Sequence, residues 1–156
     1  GEGELDAAIL ALPVVEEHVV QTKLYSEPFY FAVSKQHPKA GKKSVSLDDL
    51  ADEQVLLLED GHCLRDQALA ICSSHNAVEN TNFRATSLET LRQMVAANIG
   101  VTLMPELALG ARAGLVRYIP FRGRPPCRDI GIVWRGTASR AELLGRLARA
   151  IQIPTR

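Results

Sequence analysis

Two adjoining stretches decide the fold: Val55-Leu56-Leu57-Leu58, and after it Glu59-Asp60-Gly61-His62-Cys63-Leu64-Arg65-Asp66-Gln67-Ala68-Leu69-Ala70-Ile71-Cys72. A short run of only apolar residues is typical of a buried strand. The Asp60-Gly61 pair predicts a turn at which a helix can begin. In the second stretch Leu64, Ala68 and Ile71 recur at helical spacing. The sequence therefore predicts a strand, a turn and a helix that starts near Cys63.

Cys63 occupies a position that favours a reactive thiolate. The positive end of the helix dipole stabilises a negatively charged sulfur at a helix N-terminus. His62 and Arg65 flank the cysteine with one possible and one permanent positive charge. We expect Cys63 to attack peroxides. The alternative interpretation is a small buried apolar residue, which is common for a free cysteine.

Cys72 follows Cys63 by nine residues, and that spacing has a geometric consequence. On a continuous helix nine residues advance about 13.5 Å and rotate about two and a half turns. A disulfide requires Cα atoms within about 7 Å of each other. If the two cysteines pair, the helix must unwind or fold back, so such a bond would be a switch. Alone, Cys72 could equally be a core residue.

The composition is that of a soluble globular protein, with 46% hydrophobic and 23% charged residues among 156. Lys+Arg and Asp+Glu both total 18, so no basic field indicates nucleic-acid binding by this piece. No signal peptide and no run of about 18 apolar residues is present, so we expect a cytoplasmic protein with no membrane contact. The odd cysteine count argues against a secreted disulfide framework. Because Gly1-Glu2-Gly3-Glu4 opens the chain without Met, we expect a fragment.

Strands and helices alternate along the chain, which predicts an α/β fold with largely parallel sheets. The predicted strands are 5–12 (a buried parallel strand), 18–24, 29–34, 55–58, 81–85, 101–104, 116–120 and 130–134. Helices are predicted at 46–50 with Ser46 as N-cap, from Cys63 to about Cys72, at 88–98 capped by Ser87, at 106–111, and at 140–151 with a capping box of Ser139 and Glu142. Residues 121–128 are expected to form a basic, Pro-rich connector.

The segment Gly61-His62-Cys63-Leu64-Arg65-Asp66-Gln67-Ala68 with Cys72, and then Phe83-Arg84-Ala85-Thr86-Ser87-Leu88-Glu89-Thr90-Leu91-Arg92, resembles the regulatory domain of the OxyR-type, peroxide-sensing branch of the LysR-type transcriptional regulators. Residues 5–12 and 100–105 are similar to general patterns of LysR-type effector domains. The resemblance covers nearly the whole chain, and the cysteine segment is its specific part.

The resemblance implies two lobes like those of type II periplasmic binding proteins, each a Rossmann-like mixed sheet with helices. Lobe I would comprise residues 1–26 and 129–156, and lobe II residues 27–128 with both cysteines. The family's winged helix-turn-helix and linker helix are missing from this sequence, and lobe I is expected to be incomplete.

The resemblance also implies a role for individual residues. Cys63 would be the peroxidatic cysteine and Cys72 the resolving one, joined in a redox-active disulfide, with His62 and Arg65 supporting the thiolate and the leaving oxygen. Supporting positions would be Asp66, Thr86, Ser87 and Arg128. Simpler interpretations stay open: a surface ion pair for Arg65, a turn for His62, a helix anchor for Asp66, plain N-capping for Ser87 and a solvated loop for Arg128.

On this interpretation the chain is not an enzyme, because its chemistry is stoichiometric signalling. Expected partners are hydrogen peroxide, a second and possible further copies of the chain in a homodimer or tetramer, and thiol reductants of the glutaredoxin or thioredoxin type. DNA and RNA polymerase would be reached only through the full-length protein. No cofactor is expected, and Cys127 is expected to be an incidental free thiol.

Other classes of protein were weighed. A LysR-type domain that binds a small metabolite between its lobes would respond without its cysteines, and a thiol peroxidase would turn over. A periplasmic solute-binding protein is disfavoured by the odd cysteine count and the absent signal peptide. A metal site of His62, Cys63, Cys72 and His75 is disfavoured because adjacent His62 and Cys63 would diverge from a helix start.

Overall fold

One long strand, β2 (Val19–Ser34), links two compact units. The computed structural model describes residues 7–14, 16–110, 114–136 and 141–152. Unit 1 comprises Gly1–Glu27 with Cys127–Arg156, and unit 2 comprises Pro28–Pro126. The lobes were predicted to change after residues 26 and 128, so Arg128 lies in unit 1 and not in the middle segment. The assignment of these units to the family's two regulatory lobes stays a prediction.

Unit 1 is a small sheet with one helix on it. Its elements are β1 (Ala7–Leu12), residues 19–27 of β2, β7 (Cys127–Arg135) and α3 (Ala141–Ala150). β7 lies between β1 and β2, and β1 runs antiparallel to it. Leu144 and Ala148 of α3 pack on Trp134, Ile132 and Leu24. This contact forms the core of the unit, because residues four apart share one helix face.

Unit 2 contains the remaining elements. They are a 3₁₀ turn at Leu47–Leu50, β3 (Gln54–Leu58), α1 (Cys63–Ser74), β4 (Val78–Ala85), α2 (Leu88–Ala96), β5 (Thr102–Pro105), a second 3₁₀ turn at Glu106–Ala108, and β6 (Val116–Ile119). Residues 28–34 of β2 pair antiparallel with both β5 and β6. β3 runs parallel to β4.

The predicted strand Val55–Leu58 is confirmed, and its apolar run has a simple cause. Val55 and Leu57 belong to one hydrophobic cluster, which α1 covers, while Leu56 and Leu58 belong to a second, which α2 covers. Both faces of β3 are therefore buried, and a strand buried on both faces shows no polar alternation. β3 thus holds the two helices of the unit on opposite sides.

Several sequence expectations were wrong in detail. The two strands predicted at 18–24 and 29–34 are one strand, because the chain runs straight through Pro28 and the N–H of Phe29 donates to the carbonyl of Pro126 at 2.8 Å. β1 is antiparallel and only half-buried, with Ile9 63% exposed. The sheets are mixed, and among strand pairs with a described register only β3–β4 is parallel. Antiparallel neighbours need no helical crossover, so alternating strands and helices along the chain do not require parallel pairing.

The remaining elements agree with expectation in position, but the helices predicted at 46–50 and 106–111 are 3₁₀ turns at Leu47–Leu50 and Glu106–Ala108. Ser46 begins the first 3₁₀ turn, where the Asp49 carboxylate accepts its N–H at 2.8 Å. β7 begins at Cys127, so the connector is shorter than the predicted 121–128. Ser139 of the predicted capping box, and Ala111 at the end of the predicted helix 106–111, lie outside the described residues.

In the described ranges, no helix has the length and apolarity that crossing a membrane takes.

A close backbone approach at Gly100 generates a test of this packing. A Cβ added at Gly100 would lie 2.7 Å from the Gln54 carbonyl oxygen and 2.9 Å from Cγ of Leu56. We expect Gly100→Ala to lower the free energy of unfolding by about 1–3 kcal/mol, because backbone cannot move aside cheaply. Gly41→Ala is the control, since no atom lies within 4 Å of its added Cβ. Equal urea-unfolding midpoints for the two variants would contradict the packing.

Candidate redox site

The turn between β3 and α1 places Cys63 at the first position of the helix. Gly61 has φ of +95°, in a region that side chains other than glycine rarely adopt. His62 is the N-cap, with extended backbone, and α1 begins at Cys63 as predicted. Cys63 is exposed. Cys63 is therefore open to solvent at the N-terminus of a helix, where the helix dipole is positive.

Cys72 lies in the opposite environment, near the end of the same helix. It is 2% exposed and packs in the cluster that contains Ala68 and Leu57. Burial raises the pKa of the Cys72 thiol to about 11, and the Glu79 carboxylate adds to the shift. Both cysteines are free. With α1 continuous from Cys63 to Ser74, their Cα atoms are about 13.5 Å apart along the axis, too far for a disulfide.

The buried face of α1 includes a charged residue. The buried residues of the helix are Arg65, Ala68 and Cys72, while Leu64 and Ile71 are partly buried at its flanks. The helix predicted from the spacing of Leu64, Ala68 and Ile71 is thus confirmed. Its buried face is rotated slightly from the predicted one, because Arg65 and Cys72 are buried in place of Leu64 and Ile71. Arg65 is only 6% exposed, so its charge must be neutralised inside the protein.

The Arg65 guanidinium makes polar contacts through all three of its nitrogens. Its Nη1 donates to the Leu58 carbonyl at 2.9 Å and to Glu79 Oε2 at 2.7 Å, and its Nη2 donates to Glu79 Oε1 at 2.9 Å. Its Nε lies 3.0 Å from Asp60 Oδ1. One side chain therefore joins the end of β3, the following turn, α1 and β4. Fork-to-fork pairs of this kind are the strong form of ion pair.

Arg84 completes a closed ring of charges. Its Nε lies 3.1 Å from Glu79 Oε2, and its Nη1 lies 3.7 Å from Asp60 Oδ2. Each of the two arginines thus pairs with each of the two carboxylates. The Arg65 and Glu79 side chains are 7% and 13% exposed, whereas Asp60 is 81% exposed. The Arg65–Glu79 pair, called the inner pair, contributes most of the stabilisation that the ring provides, because exposed ion pairs contribute little.

The roles of His62 and Arg65 in supporting a thiolate at Cys63 stay predictions. Arg65 is paired with acids, as the simpler interpretation expected, but it is buried and not on the surface. His62 is partly exposed at the N-cap, and its side chain makes no capping hydrogen bond. Asp66 is exposed in the first turn of α1, where its negative charge complements the helix dipole.

The other supporting residues lie on separate elements. Ser87 is the N-cap of α2, and its Oγ accepts the N–H of Thr90 at 3.1 Å. Thr86, just before it, is exposed. Arg128 is in β7 of unit 1, and its Nε lies 2.5 Å from Oε1 of Glu27, which is 1% exposed. An ion pair replaces the solvated loop that was the simpler interpretation of Arg128.

Sequence reasoning missed Gln67. Its Oε1 is the one buried side-chain oxygen or nitrogen, among the described residues, that has no hydrogen-bond partner. Gln67 lies four residues after Cys63, so the two side chains are neighbours on one helix face. That spacing was readable in the sequence, but burial of the amide was not. The site therefore offers an unused hydrogen-bond acceptor one turn from the exposed sulfur.

Two further expectations concern a metal site and the third cysteine, Cys127. No group of three His, Cys, Asp or Glu side chains is arranged to hold a metal ion in the described ranges. Cys127 is an exposed thiol at the first position of β7, and partial burial together with Asp129 raises its pKa. Its raised pKa disfavours the reactive thiolate form.

The ion pair generates a prediction about acid stability. Hydrogen bonds from Arg65 lower the pKa of the Glu79 carboxyl below its ordinary 4.5. Its stabilisation is therefore complete above pH 4.5 and is lost as the pH falls through the folded-state pKa. We expect Glu79→Gln to cost about 3 kcal/mol at neutral pH. Between about pH 5 and pH 3 the variant should also lose less stability than the wild type, as measured by urea unfolding. Parallel pH profiles would contradict the assignment.

Comparison with known proteins identifies the family of this chain. The model of the LysR substrate binding domain matches residues 1–152. The hydrogen peroxide-inducible genes activator of Escherichia coli O6:H1 is 46% identical over 153 residues, which are 96% of this chain and 50% of the relative. The chain thus spans about half the length of the curated relatives it matches.

Two solved structures are similar over 96% of this chain. A crystal structure of the reduced form of OxyR has a TM-score of 0.82 at 44% identity, with 71% of that chain covered. A crystal structure of the oxidised form has a TM-score of 0.80 at 47% identity, with 72% covered. The predicted fold class, α/β with two lobes, is confirmed by these matches. The chain belongs to the LysR substrate-binding domain family, in its OxyR-like branch.

Proposed function

We propose that this chain is the redox-sensing regulatory domain of a transcriptional regulator that responds to hydrogen peroxide. The observation that carries the proposal is the contrast between two cysteines on one helix: Cys63 exposed at the N-terminus and Cys72 buried near the C-terminus. The similarity to a hydrogen peroxide-inducible activator supports the choice of oxidant. A domain that binds a metabolite would have no need for this pair.

The first step is oxidation of Cys63. Its thiolate sulfur attacks one oxygen of hydrogen peroxide, an S–O bond forms, the O–O bond breaks, and the leaving hydroxide takes a proton to become water. Cys63 is then a sulfenic acid. The helix N-terminus stabilises the attacking thiolate, and we propose that His62, the N-cap residue, supports it. We propose that Gln67, one turn further along α1, becomes the acceptor for the peroxide O–H, because its buried Oε1 has no partner.

The second step joins Cys63 to Cys72. The Cys72 sulfur attacks the Cys63 sulfur, an S–S bond forms, the S–O bond breaks, and the hydroxyl leaves with the thiol proton as water. This step does not occur while α1 is intact, since the sulfurs are far apart and Cys72 is held as a protonated thiol. Opening of the helix removes both obstacles, because it brings the chain together and returns Cys72 to water.

The disulfide then acts as the signal. It holds the segment between Cys63 and Cys72 in a non-helical conformation, so Ala68 and Cys72 leave the cluster they share with β3. We infer that this remodels the domain and its contacts with other copies of the chain, and so changes transcription of antioxidant genes through the full-length protein. Two equivalents of a reducing thiol restore the pair of thiols and release a disulfide of the reductant.

Thiol counting by mass spectrometry tests the switch. After one equivalent of hydrogen peroxide, the chain should lose two of its three thiols, mapped to a Cys63–Cys72 disulfide, and dithiothreitol should restore both. Cys72→Ser should stop at a Cys63 sulfenic acid that dimedone traps, because no resolving thiol is present. Cys63→Ser should keep both of its thiols.

The matched control is Cys127→Ser, which should form the disulfide at the wild-type rate. Three free thiols in the wild type after prompt exposure to peroxide would refute the proposal. So would equal transcriptional responses of the full-length protein with and without Cys63, since that is the behaviour of a metabolite-binding domain.

A substitution at Gln67 tests its contribution to the first step. Gln67→Leu keeps the shape of the side chain but removes the acceptor, so sulfenic acid formation should slow by roughly tenfold. Stability should be unchanged or higher, because a buried oxygen without a partner is removed. The measurement is the rate of dimedone-trapped product in the Cys72→Ser background. An unchanged rate would exclude Gln67 from the peroxide site.

A further inference from the structure

We propose that Glu79 is a positioning residue of the switch: its carboxylate restrains the first turn of α1 and thereby sets the rate at which Cys72 becomes available to Cys63. The inference rests on the proposed function and names the restraint that this function requires. Its basis is that one buried carboxylate acts on both ends of the helix.

The contact with the N-terminal end is a bidentate ion pair. Glu79 accepts from Nη1 of Arg65 at 2.7 Å and from Nη2 at 2.9 Å, and Arg65 is in the first turn of α1. Glu79 itself is held in β4, where it pairs with Val55 of β3. The start of the helix is thus tied to a sheet and not to a mobile side chain. The turn that bears Cys63 cannot leave this position with the pair intact.

Burial makes this contact hard to break. The Arg65 and Glu79 side chains are 7% and 13% exposed, so opening without a partner would leave an unpaired charge in a poorly solvated place. The carbonyl of Leu58 would also lose the donor that Arg65 provides. Breaking the Arg65–Glu79 pair is therefore the step that most limits how often α1 opens.

At the C-terminal end Glu79 makes a smaller, purely electrostatic contribution, which adds to the larger effect of burial on Cys72. Glu79 is the charged group that, together with burial, disfavours the thiolate of Cys72. The same carboxylate therefore holds the helix closed and keeps the resolving thiol protonated. Arg84 shares Glu79 with Arg65 and so strengthens the restraint, whereas Asp60 is too exposed to contribute much.

Alkylation of Cys72 in the reduced chain measures this restraint directly. In a Cys63→Ser, Cys127→Ser background, Cys72 is the one thiol left, and iodoacetamide reaches it only when α1 opens. Glu79→Gln should raise the labelling rate by at least about tenfold. Glu79→Asp, which keeps the charge but is too short to bind both Arg65 nitrogens as before, should give a smaller increase.

Two controls separate the restraint from a general loss of stability. Glu89→Gln removes a carboxylate that pairs with Arg92 on the exposed side of α2, and its labelling rate should stay within about twofold of the wild type. In Glu79→Gln the added labelling should be insensitive to low urea concentrations, because local opening exposes little surface. Labelling that rises steeply with urea would mean global unfolding and would overturn the proposal.

The same variants should affect only one of the two chemical steps. With all cysteines present, Glu79→Gln should speed disulfide formation from the sulfenic acid while the rate of sulfenic acid formation stays within about twofold. Unchanged labelling and unchanged disulfide formation in Glu79→Gln would overturn the proposal. If that variant does not fold, Arg84→Gln decides: labelling roughly threefold faster supports the restraint, and a wild-type rate refutes it.

The two proposals fail in different ways. If peroxide forms no disulfide in the wild type, the redox function is wrong, but Cys72 labelling uses no peroxide and still reports on Glu79. If the disulfide forms and Glu79→Gln changes neither labelling nor disulfide formation, the redox function stands and the role of Glu79 is wrong.

Discussion

The buried pair of Arg65 and Glu79 is the interaction on which the site depends. A guanidinium that is 6% exposed is stable only because two carboxylates and a carbonyl surround it. That arrangement ties the first turn of α1, which bears Cys63, to the end of β3 and to β4. The helix is therefore held at its reactive end by charge and along its length by apolar packing on β3.

The proposed redox switch requires opposite surroundings for its two cysteines, and a single helix provides both. Cys63 must meet a solute from water, and it lies at an exposed helix N-terminus. Cys72 must not react early, and it is buried with a raised pKa. Because nine residues of helix separate them, the conformation that protects Cys72 also keeps the sulfurs apart. In the proposed switch, helix geometry would therefore couple oxidation to conformational change without a separate relay.

How far the site could be predicted differs from residue to residue. The apolar run of β3, the Asp60-Gly61 turn and the start of α1 at Cys63 were all predictable, because each depends on neighbours within a few residues. The roles of Arg65 and Arg128 were not, because their partners Glu79 and Glu27 lie 14 and 101 positions away. The merging of two predicted strands into β2 likewise depended on a hydrogen bond from Phe29 to distant Pro126.

By itself, the sequence determined the local order of elements, the helical placement of both cysteines and the membership of a family whose cysteine segment is distinctive. The first two features follow from backbone preferences and from apolar spacing, which act over one or two turns, whereas family membership follows from the residues of the cysteine segment. Only the tertiary structure decided which face of α1 is buried, that Gln67 keeps an unused acceptor, and that four charges form a ring at the start of the helix. These depend on which side chains meet across strands, and contacts between residues far apart in the chain leave no periodic signal in it.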